Sequence, residues 1–283
     1  MIHAWSPVSP CGPGCLPKPG SLRRAGAHRV LLRLTAAVAL MLLGVGLAVV
    51  LAVLRGRLRT ALVKSWFRAL LRAFGVRFVV RGERSAHGGL VVTNHVSWLD
   101  VVALMAVQPM RLLAKTELRS WPVVGPLAAR VGTLYIDRHR LSALPEAVRT
   151  VTGALREGSV VGAFPEGTTW CGLASGTYRP AVFQAAVDAG VAVRPVALRF
   201  TTASGAPTTA AAFVGAATLL ESVLAVARVR GLVVELSVLP ELDAAAIGDR
   251  RELARRAERA VAAVTEPDGP EEPHLVELRH VAA

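Results

Sequence analysis

Thr93-Asn94-His95-Val96-Ser97-Trp98-Leu99-Asp100 is the stretch on which the reading of this chain turns. The apolar run Leu90-Val91-Val92 leads into it as a buried strand would, and Val101 to Val107 leads out as a helix would. A histidine at a strand-to-helix corner, with a carboxylate five residues on, is the arrangement of a general base and its orienting partner. Imidazole is the usual proton acceptor near neutral pH. A carboxylate fixes its tautomer and stabilises the imidazolium that forms. Ser97-x-x-Asp100 is equally a helix N-cap pattern with Asp100 at the positive end of the helix dipole, and His95 is then an ordinary capped or core histidine. These eight residues alone do not choose between the two.

The remaining chain narrows the choice. Its 283 residues are enough for one catalytic domain with appendages. Hydrophobic residues make up 53% and aromatics only 5%, an aliphatic, alanine-rich balance that suits membrane attachment. The net charge of +13 implies an anionic partner: nucleic acid, anionic headgroups or a phosphorylated substrate. The basic residues are scattered and poorly interleaved with aromatics, which ranks nucleic acid far below lipid. Cys11, Cys15 and Cys171 are too few and too odd for a disulfide framework. Cys11 and Cys15 sit in a Pro/Gly-rich segment with no matching histidine or cysteine pair, so no metal site is expected.

Residues 1–28 show no hydrophobic period and read as a disordered tail. Leu34 to Leu54 are 21 residues without a charge, about 31 Å as a helix, within a membrane anchor spanning 29–56. A cleaved signal peptide is the competing reading, but the apolar region is long for one and Arg55, Arg57 and Arg59 follow at once. Charge counting does not orient the anchor, because residues 16–33 hold five Lys/Arg and residues 55–72 hold six. Trp66, Phe67, Leu70, Leu71 and Phe74 recur at helical spacing between cations, an amphipathic lead-in helix over 64–75 that lies on a membrane or caps the core.

Strands and helices then alternate. Val76 to Arg81 is a strand that Ala86-His87-Gly88-Gly89 turns into the Leu90 strand. Further strands are expected at Arg111–Ala114, Gly132–Arg138, Ser159–Phe164, Val191–Phe200 and Leu232–Leu239, with Pro195 placing its strand at an edge or near its own start. Helices are expected at Leu144–Glu157, Pro180–Ala189 and Leu219–Ala227. The class is α/β, a central mixed sheet flanked by helices and preceded by an N-terminal membrane-anchoring helix. The domain covers 57–240, and 241–283 is a surface helix (Ala244 to Val264) with an acidic tail.

Three loops follow strands, where open α/β sheets bind ligands: Asn94-His95 to Asp100, Asp137-Arg138, and Phe164-Pro165-Glu166-Gly167-Thr168. There is no G-x-S-x-G elbow, no phosphate-binding G-x-x-x-x-G-K-[ST] loop and no H-E-x-x-H zinc helix. A base without a protein nucleophile suggests that the substrate's own hydroxyl attacks, a group transfer onto an alcohol.

These residues resemble the glycerolipid acyltransferases, the 1-acyl-glycerol-3-phosphate acyltransferase superfamily. Asn94-His95-x-x-x-x-Asp100 is similar to their first block, and Ala114-Lys115-Thr116-Glu117-Leu118 with Pro122-Val123-Val124-Gly125 to the segment after it. Gly132-x-x-Tyr135-Ile136-Asp137-Arg138 resembles the second block, Phe164-Pro165-Glu166-Gly167-Thr168 the third and Val193-Arg194-Pro195-Val196-Ala197 the fourth. The resemblance spans residues 75 to 240. It implies transfer of an acyl chain from acyl-CoA or acyl carrier protein to a lyso-lipid hydroxyl, with no cofactor. His95 is then the base, Asp100 its holder, and Asn94, Arg138, Glu166, Gly167 and Thr168 the acceptor-binding set. Phosphatidate formation is the first expectation. Thr169-Trp170 stands where an arginine commonly follows Glu-Gly-Thr, which opens the alternative of another acceptor such as a lyso-ornithine lipid; Arg179 can compensate. Because such donors are cytosolic, the resemblance also implies a single-pass protein of the cytoplasmic membrane. Its domain faces the cytoplasm and its short tail lies outside, the alternative being a segment that dips and returns.

Overall fold

The computed structural model describes residues 7–54, 56–83, 88–122, 124–137 and 140–266. Two helices come first, α1 (Ala27–Val53) and α2 (Gly56–Ala73). Strand β1 (Arg77–Arg81) precedes β2 (Gly89–Thr93), which runs into α3 (Trp98–Val107). Then come β3 (Arg111–Lys115), α4 (Val124–Arg130), β4 (Leu134–Ile136), α5 (Leu144–Arg156) and β5 (Val160–Ala163). The remainder is α6 (Ala181–Ala189), β6 (Val193–Thr201), α7 (Leu219–Arg228), β7 (Val233–Val238), α8 (Ala244–Ile247) and α9 (Arg250–Thr265).

The strands form one mixed seven-stranded sheet in the order β1-β7-β6-β2-β5-β3-β4. Only β6 and β7 pair antiparallel. Strand β2 is central, with β5 and β6 parallel on either side. It is buried throughout, and its residues alternate between two cores. Val91 packs with Leu104 of α3 and Leu71 of α2, whereas Leu90 and Val92 pack with Leu155 of α5, Phe183 of α6 and Leu253 of α9. Helices thus cover both faces of the sheet, the reason a continuous apolar run appears where a one-sided strand would alternate.

Several expectations are corrected. No hairpin joins β1 to β2, since β1 pairs with β7 at the sheet edge and β2 lies three places away; residues 86 and 87 of the expected turn are outside the described residues. Strand β6 is interior, so of the two expectations for Pro195 the edge is wrong and the start is right: Pro195 is the third of its nine residues. Pro195 is tolerated there because the β7 ladder begins one residue later, at Val196 opposite Val238, so Pro195 owes that ladder no N–H. Its carbonyl still accepts from the Leu239 N–H at 3.0 Å. The C-terminal surface helix is two helices broken at left-handed Gly248, and α9 buries Leu253, Ala254, Ala257 and Val261 against the sheet. The acidic tail from residue 267 onward is outside the described residues.

The N-terminal segment also departs from expectation. Residues from 7 to 26 are packed on the domain rather than free. Ala25 N–H donates to Arg228 O at 2.8 Å, Arg230 N–H to Arg23 O at 3.0 Å, and the Thr209 hydroxyl to Cys15 O at 2.7 Å. Arg33, near the start of α1, donates to Ala227 O and Val229 O. Helix α1 then runs out along α2, which returns to bury Leu70 and Leu71 in the core. Midway, Trp66 Nε1 donates to Leu40 O at 2.8 Å, and a Cβ on Gly44 would come within 2.7 Å of the Trp66 ring, so only glycine permits this approach. Both ends of the α1–α2 hairpin therefore meet the same body. By length and composition, residues Ala27–Leu51 are also long and apolar enough to cross a membrane. A segment that dips and returns is compatible with these contacts.

Candidate active site

The site is built where β2 and β5 end. Because these neighbours run parallel, the loops after Thr93 and Ala163 leave the sheet side by side. Ser97 caps α3, its Oγ accepting from Leu99 N–H, and Asp100 completes a capping box. The two readings of this corner are thus compatible: the residue that caps the helix also binds the imidazole. Asp100 is fully buried, and its Oδ2 accepts from His95 Nδ1 (2.8 Å), Val96 N–H (2.6 Å) and Ser97 N–H (2.8 Å). The first turn of α3 supplies both the donors and the positive end of the helix dipole that such a buried anion needs. With Nδ1 committed to Asp100, Nε2 is the nitrogen left to accept a proton, on a side chain 21% exposed.

His95 is restrained on its other sides too. Its N–H donates to Glu166 Oε2 at 2.6 Å and its carbonyl accepts from Trp170 N–H at 2.7 Å. The Phe164 ring stacks on the imidazole with centroids 3.9 Å apart and planes 22° from parallel. Both glutamate oxygens are used, Oε1 accepting from Gly176 N–H at 2.9 Å. Glu166 is buried and faces inward, tying the β2 loop to the segment that follows the β5 loop. Glu166 thus acts as an internal brace. Asn94 is likewise held from inside: it pairs with the backbone of Leu198 on β6 through both amide atoms, at 2.9 Å each, and extends the sheet by one side chain.

Burial pushes the Glu166 carboxyl from its ordinary 4.5 up to about 8, against the lowering effect of the Gly176 and His95 N–H groups and with help from the Asp100 and Glu258 charges. A carboxyl raised on folding holds its proton more tightly in the folded chain, so its contribution to stability is complete below 4.5 and is lost as pH rises to about 8. Thermal midpoints measured across that window are expected to fall with pH in the wild type and to change less steeply in Glu166→Gln. Equal slopes would contradict this assignment.

Gly167 takes φ +76, and its N–H closes the turn onto Phe164 O at 3.0 Å. Arg179 N–H binds Pro165 O, and its Nε lies 3.7 Å from where a Gly167 Cβ would sit, so a guanidinium does stand beside the third-block turn. Thr168 is partly exposed on the same turn. Strand β4 ends at the same end of the sheet, but Arg138 is outside the described residues. Phe164 and the backbone of Trp170 were missed as restraints on His95. Their only sequence signal is their place beside Pro165-Glu166-Gly167. Among the described residues, Cys11, Cys15 and Cys171 form the one cluster able to hold a metal ion, and it lies beside this loop rather than at His95.

Comparison with known proteins identifies the family. A family model described as Acyltransferase matches residues 77–199, which include every block named above. The chain is 35% identical over 205 residues to the 1-acyl-sn-glycerol-3-phosphate acyltransferase of Neisseria meningitidis, covering 71% of this chain and 79% of that protein. It is 36% identical over 241 residues to the lyso-ornithine lipid O-acyltransferase of Pseudomonas aeruginosa, covering 82% and 92%. The crystal structure of the 1-acyl-sn-glycerophosphate acyltransferase PlsC from Thermotoga maritima superposes with a TM-score of 0.68 at 19% identity, over 87% of this chain and 97% of that one, and shares the fold. The chain is an acyltransferase and belongs to the 1-acyl-sn-glycerol-3-phosphate acyltransferase family.

Proposed function

We propose that the protein moves an acyl chain from a thioester donor, acyl-CoA or acyl carrier protein, to the hydroxyl of a lyso-lipid, with His95 as general base. The observation that carries this reading is the His95–Asp100 bond at a corner braced by Glu166 and Phe164. Nε2 takes the proton of the acceptor hydroxyl as its oxygen attacks the thioester carbonyl. Asp100 stabilises the imidazolium. Collapse of the tetrahedral intermediate breaks the C–S bond, and the departing thiolate takes the proton back from Nε2. An ester and a free thiol result, with no cofactor consumed. General base catalysis and positioning together suffice for an electrophile as reactive as a thioester.

For the acceptor, 1-acyl-glycerol-3-phosphate is the first reading, supported by Arg179 beside the Gly167 turn and by the net charge of +13. A lyso-ornithine lipid is the second, favoured by Thr169-Trp170 after Glu-Gly-Thr and by the extent of the Pseudomonas match. Purified full-length protein supplied with either donor and both acceptors, read by lipid mass spectrometry, tests both. Acylation of one acceptor, dependent on His95, is expected; acylation of neither sinks the proposal.

Membrane binding belongs to the α1–α2 hairpin. Helix α1 leaves Leu31, Leu32, Leu42, Leu43 and Val49 exposed, with nothing apolar over them among the described residues. Helix α2 is studded with Arg57, Arg59, Lys64, Arg68 and Arg72, which suit an interface and not a second crossing. Burying a leucine is worth about 1.5–3 kcal/mol, so Leu42→Glu with Leu43→Glu is expected to weaken partition into vesicles by about a hundredfold or more. Co-sedimentation with liposomes measures it, and unchanged binding would place the contact elsewhere.

A further inference from the structure

Cys11 and Cys15 lie near the chain's beginning, and Cys171 lies in the loop that follows the Glu166 turn. Folding brings their sulfur atoms together: all three lie within 4.8 Å of one another, in a small cluster with Val214 and Trp170. Cys11 and Cys171 are buried, and Cys15 is half-buried. Gly12-Pro13-Gly14 forms the tight turn that lets the first two thiols face one point, closed by Cys15 N–H on Gly12 O at 2.9 Å. The turn is fastened from outside by the Thr209 hydroxyl on Cys15 O, while Ser9 Oγ accepts from Cys11 N–H. Two flanking contacts locate it. Pro7 lies against Gly167, where a Cβ would come within 2.8 Å of its ring, and Trp170 N–H holds His95 O.

We propose that Cys11, Cys15 and Cys171 are the ligands of a thiophilic divalent cation of the zinc class, which pins the N-terminal segment to the loop that braces His95. The absence of a matching second pair, which argued against such a site from sequence, is overcome by Cys171 arriving from a distant part of the chain. The C-x-x-x-C turn falls within the spacing that pairs of zinc ligands use, and Cys171 adds a third thiolate. Tetrahedral thiolates around zinc stand about 3.8 Å apart, a small contraction of the cluster reached by side-chain rotation. A disulfide would use two of the sulfurs and strand the third. The three thiols release their protons as the cation binds, so affinity rises with pH. Three thiolates leave one tetrahedral position for water or an outside ligand. Because the ion would sit next to Trp170, whose N–H holds the His95 carbonyl, its role is positioning.

The test uses the full chain purified under reducing conditions with Zn2+ supplied, then dialysed. Metal analysis is expected to find about one zinc per chain, the stoichiometry of a single site. Cys11→Ser, Cys15→Ser and Cys171→Ser are each expected to lower retained zinc at least tenfold. Replacement by Co2+ should give thiolate-to-cobalt charge-transfer absorption in the near ultraviolet and the intense visible bands of a tetrahedral site. Hydrogen exchange should show residues 8–16 losing protection when the metal is removed. Cys11→Ser and Cys15→Ser alter a segment outside the sheet, so they remain informative if Cys171→Ser does not fold. No zinc retained by the wild type, retention undiminished in Cys11→Ser, or a disulfide between two of the three in intact-mass and peptide mapping would each overturn the proposal.

Discussion

Replacing His95 with alanine is expected to slow acyl transfer by about 10²–10⁴-fold, the range in which a positioned general base contributes. The fold should survive, because Glu166 and Trp170 bind the backbone of residue 95 and not its ring. What is lost is the stack on Phe164 and one of three bonds to Asp100 Oδ2, so the unfolding free energy should move by about 1 kcal/mol, an ordinary value for one substitution. Transfer rate and thermal midpoint, measured on the same preparation, separate the two effects. An unchanged rate would remove His95 from the chemistry.

Asp100→Asn should be nearly as damaging and for a different reason. The amide has nearly the volume of the carboxylate but only one acceptor oxygen, and it cannot hold an imidazolium by charge. By analogy with hydrolytic triads, where loss of the orienting carboxylate costs about 10⁴-fold, a fall of about 10²–10⁴-fold is expected. Asp100→Ala should add a stability loss, since Val96 and Ser97 N–H groups are then left buried without acceptors, at about 1–3 kcal/mol apiece. The decisive comparison is the double variant. If Asp100 acts through His95, His95→Ala with Asp100→Asn should be no slower than His95→Ala alone. Additive losses would give Asp100 a separate role.

Much of the fold was legible because its elements announce themselves locally. Val160–Ala163 is a short apolar run after Gly158-Ser159, Val233–Val238 sets Val234, Leu236 and Val238 alternately with Glu235 and Ser237, and α3 opens on the Ser97-x-x-Asp100 capping box. Strand order was less legible, because pairing depends on contacts distant in sequence: nothing around Arg77–Arg81 says that its partner is Val233–Val238. At the site, the residue types were readable and their directions were not. The Phe164-Pro165-Glu166-Gly167-Thr168 block marks a functional turn, yet only the structure shows the carboxyl aimed inward at two backbone N–H groups. Residues 7–26 were opaque for a related reason. Proline and glycine look the same in a free tail as in an ordered strap held by its neighbours, and what orders this strap is supplied by Cys171, Thr209 and Arg228.

The returning path of α1 and α2 has a consequence for the membrane as a material. Were the hairpin seated in the interface at one face of the membrane, lipids would reach His95 from one leaflet and go back to it. Each turnover converts a single-chain amphiphile, wedge-shaped and mobile, into a two-chain lipid of nearly cylindrical shape. An enzyme so seated would change the area and spontaneous curvature of one monolayer and leave the other untouched. The resulting mismatch is relieved only when lipid crosses to the opposite side, which makes transbilayer movement, and not acylation, the step that lets both leaflets grow together.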